Sequence, residues 1–362
     1  MSHKILAIGD PHFRTDNVEE TQNFSNELKK YLEKNDDIEV IIVLGDILHT
    51  HEKLHTDALN TAVNFFKMLV SFKKNTFVLV GNHDATSNSI FLTTNHWLNI
   101  LKEWGNITVV DYPTKFNLSK EPGNNFITMC PYVPEGRLTE ALNLVEDWKN
   151  GVLVFGHQTL NGAKMGAITA EGVEEWEDDY PMLISGHVHD KQKVKHNLYY
   201  TGSSLQHSYG EGSDKSLCLI TVEDGKIEME DVYLTMKRKK IVYADVDQLE
   251  EVSKTLNDGM EYKIVLKGNI EDFKALKKSS LYKDAMNLKN VKNITFKSKA
   301  AETVENTEVG QSENASRVVS DDFCEHLDKL VRCTNDSYLI SFYEHMMFNK
   351  EDISGEDVIF IE

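Results

Sequence analysis

Short apolar runs, each followed at once by glycine and a polar residue, set the rhythm of the first half of this sequence. Ile5–Ile8 leads into Gly9-Asp10, Val40–Leu44 into Gly45-Asp46, and Thr76–Val80 into Gly81-Asn82-His83-Asp84. Val152–Phe155 precedes Gly156-His157, and Met182–Ile184 precedes Ser185-Gly186-His187. Apolar runs of this length, bounded by glycine, predict buried strands. Between them, residues 19–34 place Phe24, Leu28 and Leu32 at helical spacing, and residues 53–72 place Leu59, Val63, Phe65, Phe66 and Leu69 on an amphipathic helix. Residues 89–104 predict a further helix. Ligand sites of α/β sheets lie outside the C-terminal ends of the strands, which is where these polar residues fall. Glycine before each one permits a sharp turn and close backbone approach.

From about residue 190 the runs shorten. Gln192–Thr201, Ser216–Val222 and Lys226–Leu234 predict strands of a largely antiparallel finish, with Glu223-Asp224-Gly225 as a hairpin turn. Residues 236–240 (Met-Lys-Arg-Lys-Lys) mark a boundary. A strand at Tyr262–Leu266, a helix at Asn269–Leu281 and a strand at Val291–Phe296 predict a compact α/β unit. Residues 300–320 are polar and read as a linker. Residues 321–348 recover an apolar pattern of helical type, with Ser320 or Asp321 as the N-cap. The expected division is 1–235, 236–299, a linker at 300–320, and a helical segment at 321–362.

A chain of 362 residues exceeds one ordinary core, in keeping with that division. No segment reaches the ~18 apolar residues of a membrane span, and the N-terminal run is too short for a signal peptide, so no membrane partner and a cytoplasmic location are expected. Cys130, Cys218, Cys324 and Cys333 form no C-x-x-C pair and read as reduced thiols. The formal net charge of -19 argues against a nucleic-acid partner until its distribution is read. Residues 1–236 hold 20 Lys and Arg against 34 Asp and Glu, residues 237–299 hold 15 against 9, and residues 300–362 hold 4 against 15. One basic region in an acidic chain suits contact with a phosphate backbone.

The polar residues behind the strands form a metal-competent set. Divalent ions in phosphate chemistry take hard oxygen ligands, with imidazole where manganese, iron or zinc is used. Two ions about 3.5–4 Å apart also need a bridging carboxylate. Asp10-Pro11-His12 offers a carboxylate and an imidazole, and Asp46 is the natural bridge. Asn82 offers an amide oxygen, His157 an imidazole, and His187-Val188-His189 two more at i and i+2.

In this order, the blocks Asp10-x-His12, Gly45-Asp46, Gly81-Asn82-His83-Asp84, Gly156-His157 and Gly186-His187-x-His189 resemble the five motifs of the calcineurin-like metallophosphoesterases. The resemblance implies an α/β fold, a two-sheet β-sandwich flanked by helices. It implies one metal on Asp10, His12, Asp46 and His189 and a second on Asp46, Asn82, His157 and His187. Two divalent ions, Mn2+ first and Mg2+ second, would acidify a bound water and neutralise phosphate oxygens. His83 would act without binding metal, stabilising the transition state or protonating the leaving oxygen. Asp84 would orient His83 or secure its turn.

Three further features narrow the resemblance. Gly45-Asp46-Ile47-Leu48-His49 lacks the Asp-Arg-Gly continuation of the Ser/Thr phosphatases and is similar to the SbcD-type DNA repair nucleases, where the histidine at the place of His49 contacts DNA phosphate. Tyr200-Thr201-Gly202-Ser203-Ser204, followed by Ser208-Tyr209-Gly210-Glu211, resembles a stretch of the same nucleases. Gly202 and Ser203 would present N–H and hydroxyl donors to substrate. The tail fits as well: a small α/β capping domain over 236–299 with Lys237 and Arg238 against DNA, then a helical segment docked on an SMC-like coiled-coil ATPase.

The implied protein is an exonuclease on duplex ends, 3′→5′, and an endonuclease on single strands. It would be a nuclease subunit in DNA repair and recombination, in a bacterial or phage-infected cell at the nucleoid. Family members dimerise through helices of the nuclease domain, here 53–72 and 89–104 with Phe91, Leu92, Trp97 and Leu98. Two rivals remain open: a phosphodiesterase acting on a nucleotide or small diester, and a mainly structural DNA-bridging subunit.

Overall fold

The computed structural model describes residues 2–51, 53–119, 125–298 and 331–332. By its contacts the chain divides into residues 1–299 and residues 300–362. In the second unit the described residues are Val331 and Arg332, both helical. The expected linker and, apart from these two residues, the ATPase-binding segment, with Cys324 and Cys333, lie outside the described residues.

In chain order the first unit runs β1 (Ser2–Ile8), α1 (Val18–Lys34), β2 (Val40–Val43), α2 (Thr56–Ser71), β3 (Asn75–Leu79), β4 (Ile107–Val110), β5 (Thr114–Asn117) and β6 (Phe126–Met129). It continues with α3 (Leu138–Leu142), β7 (Leu153–His157), the small hairpin β8 (Lys164–Met165) and β9 (Ile168–Thr169), β10 (Met182–Gly186), β11 (Gln192–Lys195) and β12 (Leu198–Tyr200). β13 (Leu217–Glu223), β14 (Lys226–Val232), β15 (Arg238–Asp245), α4 (Leu249–Thr255), β16 (Met260–Gly268), α5 (Ile270–Leu276), α6 (Ser280–Met286) and β17 (Val291–Ser298) follow.

Two six-stranded sheets face each other, in the orders β14-β13-β1-β2-β3-β4 and β11-β12-β10-β7-β6-β5. Their inner faces meet in one core, with Ile5, Ala7, Ile42, Leu44 and Leu79 against Met129, Leu153, Phe155 and Ile184. The alternate residues of the first sheet, Leu6, Ile8, Ile41, Val43 and Val78, pack outward on Phe24, Leu28, Phe65 and Phe66 of α1 and α2. The second sheet packs outward on Leu138, Leu142, Trp148 and Trp176. Because both faces of each central strand are covered, the strands read as unbroken apolar runs. β1, β2, β3 and β4 are parallel to one another, as are β6, β7, β10 and β12. Their C-terminal ends therefore gather the polar residues at one rim. The fold is the α/β two-sheet architecture expected from the motifs.

Residues 238–298 add a separate parallel sheet, β15-β16-β17, with its own core around Ile264, Leu266, Leu249 and Ala285. The single helix expected over 269–281 is two short helices, each with an N-cap side chain, Asn269 and Ser279. The helix expected over 89–104 is absent. A single 3-10 turn spans Trp97–Leu101, where side chains are held by partners distant in sequence: Trp97 donates to Asp84 and His96 pairs with Asp111.

Candidate metal centre

Sharp turns at the strand ends bring the ligands inward. Asp10, His12, Asp46 and His187 all have positive φ, at 32°, 42°, 50° and 75°. Such a conformation costs of order 1–3 kcal/mol per non-glycine residue, and it clusters at functional sites. Gly81 is required by proximity: a Cβ there would sit 2.3 Å from both the amide nitrogen and Oδ1 of Asp46.

The seven expected ligands converge at the rim between the two sheets. Asp46 is 2% exposed and faces both ways, with Oδ2 3.4 Å from His12 Nε2 and Oδ1 3.2 Å from His157 Nε2. On one side His12 Nε2 lies 3.1 Å from His189 Nε2. On the other, Asn82 Oδ1 lies 3.0 Å from His157 Nε2 and 2.8 Å from His187 Nδ1. Asp10 is fully buried between them; its Oδ1 accepts the His187 amide N–H at 3.0 Å, and its Oδ2 has no hydrogen-bond partner. A buried, unpartnered carboxylate oxygen among imidazoles and a second carboxylate fits a cation, since that arrangement is otherwise costly.

Neighbours fix the imidazoles. His157 Nδ1–H donates to the Leu44 carbonyl at 2.7 Å, which sets the ring so that Nε2, facing Asp46 and Asn82, would be the atom to ligate a metal. His189 Nδ1 lies 3.5 Å from Glu211 Oε1, which turns Nε2 toward His12. Glu211 is itself held by the His207 amide at 3.0 Å and Lys215 Nζ at 3.1 Å. His207, a residue that motif reading passes over, is buried against His12 and His189 and donates from Nε2 to the Asp10 carbonyl at 2.8 Å. No pattern at its own position marks it; only the folded turn brings it in.

Burial dominates the titration of the site. It raises Asp10 to about 6 and lowers His187 to about 3 and His12 well below the usual imidazole range. It opposes ionisation of Asp46 too, but the surrounding imidazoles, His157 first, overcome it and hold Asp46 low. Burial is likewise outweighed at His157, which the charges of Asp46 and Asp10 raise to about 9.

His83 stands beside the ligands. Its Nδ1–H donates to the His49 carbonyl at 2.6 Å, and Nε2, 4.0 Å from Asp46 Oδ2, is left to face the cleft. His49 lies parallel to His83, rings 5.4 Å apart, with Nδ1 3.3 Å from His12 Nδ1. Asp84 is buried and accepts N–H groups from Ile47, Leu48, Gly81 and Trp97, and it ties the Asp46 turn to the Asn82 turn. The expected donors of Gly202 and Ser203 are turned inward. Ser203 is fully buried, its N–H donating to His189 O and its hydroxyl to Leu205 O. Gly202, at φ 70°, has no room for a side chain: a Cβ there would sit 2.9 Å from the His189 carbonyl oxygen. Lys237 and Arg238 are exposed at the start of β15.

Two carboxylates, four imidazoles and an amide oxygen gathered at one rim are a donor set suited to a metal-dependent phosphoester hydrolase. The sequence profile of the calcineurin-like phosphoesterases matches residues 3–191, and the chain belongs to that family. Two relatives come from iridescent viruses. The protein named "Putative phosphoesterase 244L" of Invertebrate iridescent virus 6 is 39% identical over 77% of this chain and 98% of its own length. "Putative phosphoesterase 078R" of Invertebrate iridescent virus 3 is 37% identical over 78% of this chain and 81% of its own. Enzymes of this family use divalent metals, and the metal bound would supply an acidified water and charge to balance the phosphate oxygens.

Proposed function

We propose that this phosphoesterase is a DNA nuclease with two Mn2+ ions, acting 3′→5′ on duplex ends and endonucleolytically on single strands. The observation that carries the reading is His49. It follows the bridging Asp46 by three residues, and its ring lies beside His83 at the edge of the ligand cluster. A monoester needs one recognition point at the reacting phosphate; a polynucleotide offers further phosphates that a second imidazole at the rim can meet. In this reading His83 holds a proton at Nε2 for the leaving oxygen, with its ring set by the His49 carbonyl. Asp84 braces the turns. Lys237, Arg238 and the basic stretch after them meet the backbone of the DNA.

The wider assignment extends this reading: a subunit in repair or recombination, dimeric, bound through residues 321–362 to an SMC-like ATPase. The dimer faces change in detail, since Leu98 is buried and Phe91 and Leu92 pack partly against the second sheet's core, which leaves Ile90 (46% exposed) and Ile100 (49%). The viral relatives favour a virus-infected cell. No helix among the described residues is long and apolar enough to cross a membrane.

End-labelled duplex and single strands, incubated with Mn2+ or Mg2+, with and without a co-expressed ATPase of that type, test the proposal. A chromogenic phosphodiester runs in parallel. Laddered products from DNA are expected. Intact DNA beside a hydrolysed small diester overturns the nuclease and leaves the phosphodiesterase alternative.

A further inference from the structure

Among the described residues, α4, α5 and α6 all pack on one face of the β15-β16-β17 sheet and no helix packs on the other. Tyr262, Ile264, Leu266, Ala244 and Ile294 are buried toward α4, α5 and α6. The alternate residues point the other way, and strand register arranges them in rows: Ile241, Lys263 and Asn293; Tyr243, Val265 and Thr295; Asp245, Lys267 and Lys297. Tyr243 is 59% exposed in mid-strand, with Lys267 Nζ 5.0 Å from its ring centroid. An aromatic ring there adds nothing to the core.

The root of the same face meets the metal-bearing body. Lys239 Nζ bonds Glu20 at 2.7 Å and the Gln206 carbonyl at 2.6 Å, and Tyr209 donates to Glu261 at 2.6 Å. Tyr209 is two residues from Glu211, which backs His189. The strands therefore start beside the metal centre and carry their open face outward from it. Beyond the root this face holds three lysines against one carboxylate, Asp245. Basic and carrying an exposed aromatic ring, it suits a strand whose bases are free to stack, and base stacking on an aromatic ring is tolerant of sequence.

We infer that the open face of this sheet, with Tyr243 as stacking platform and Lys263, Lys267 and Lys297 as phosphate contacts, binds single-stranded DNA leading to the metal centre. The inference rests on the nucleic-acid reading above and gives it a substrate track.

The test is binding of a fluorescent single-stranded oligonucleotide to the full-length protein in EDTA, by anisotropy, across a salt series. Tyr243→Ala is expected to weaken binding about tenfold, and Tyr243→Phe to leave it near the wild-type value. Changing the three lysines to glutamine should reduce the slope of log K against log salt by about 2. Unchanged affinity in Tyr243→Ala, or a duplex that binds as tightly and loses as much with Tyr243→Ala, overturns the inference. Cleavage under Mn2+ is scored separately. A protein that cuts DNA but binds it independently of this face loses the track and keeps the nuclease; one that binds here and cuts no DNA does the reverse.

Discussion

Replacing Asp84 by alanine removes the brace between two ligand-bearing turns, and the structure sets the scale of the loss. The carboxylate is 1% exposed and receives N–H groups from Ile47 at 3.1 Å, Leu48 at 3.3 Å, Gly81 at 3.1 Å and the Trp97 indole at 3.0 Å. Truncation leaves four buried donors without their acceptor. Each costs roughly 1–3 kcal/mol when left unmade. Water entering the vacated space recovers part, so a net loss of about 4 kcal/mol is expected, a large share of a typical domain's stability. Asparagine keeps one acceptor oxygen and turns an NH2 toward the remaining donors, so Asp84→Asn should cost about 1–2 kcal/mol. Urea unfolding in EDTA, followed by tryptophan fluorescence, measures both. Mn2+ titration of the variants should show weakened binding, since Asp46 and Asn82 sit on the tied turns. An alanine variant within ~1 kcal/mol of wild type and with unchanged Mn2+ affinity would refute the bracing argument.

Other outcomes follow from the same geometry. His83→Ala should abolish phosphodiester hydrolysis while metal content, measured on the purified protein, stays near wild type; loss of both would make His83 a ligand. Glu211→Gln should weaken metal binding about 10–100-fold by calorimetry, because the carboxylate behind His189 loses its charge. Without metal, His157 is raised to about 9, so it stabilises the fold below an unfolded value near 6.5, and that contribution is lost as pH rises through 9. The melting temperature of the metal-free protein should therefore fall between pH 6.5 and 9, and His157→Gln should flatten that fall; an unchanged slope in the variant contradicts the assignment.

Much of this was legible in the sequence because the strands carrying the ligands are covered on both faces. Ile5–Ile8 and Val40–Leu44 had to be unbroken apolar runs, and the turns after them had to hold Asp10 and Asp46. Tertiary partners erased other signals. Phe91, Trp97 and Leu98 mimic a helix, but Trp97 is held by Asp84 from thirteen residues away. The strand Arg238–Asp245, paired in parallel with β16, opens the small sheet from within the Lys-Arg-Lys-Lys stretch, whose charges mask it as a strand. Ser203 resembles a substrate donor in sequence and is buried in structure, its hydroxyl spent on Leu205. His207 becomes visible only when the turn from Gly202 to Glu211 folds back on Asp10.

In the proposed centre a pair of metal ions shares the Asp46 carboxylate, and Mn2+ titration monitored by electron paramagnetic resonance reads that sharing. The wild-type chain should take up two equivalents that give the signal of an exchange-coupled pair, and Asp46→Asn should lose that signal. A single bound equivalent, or an unaltered coupled signal in Asp46→Asn, would contradict it.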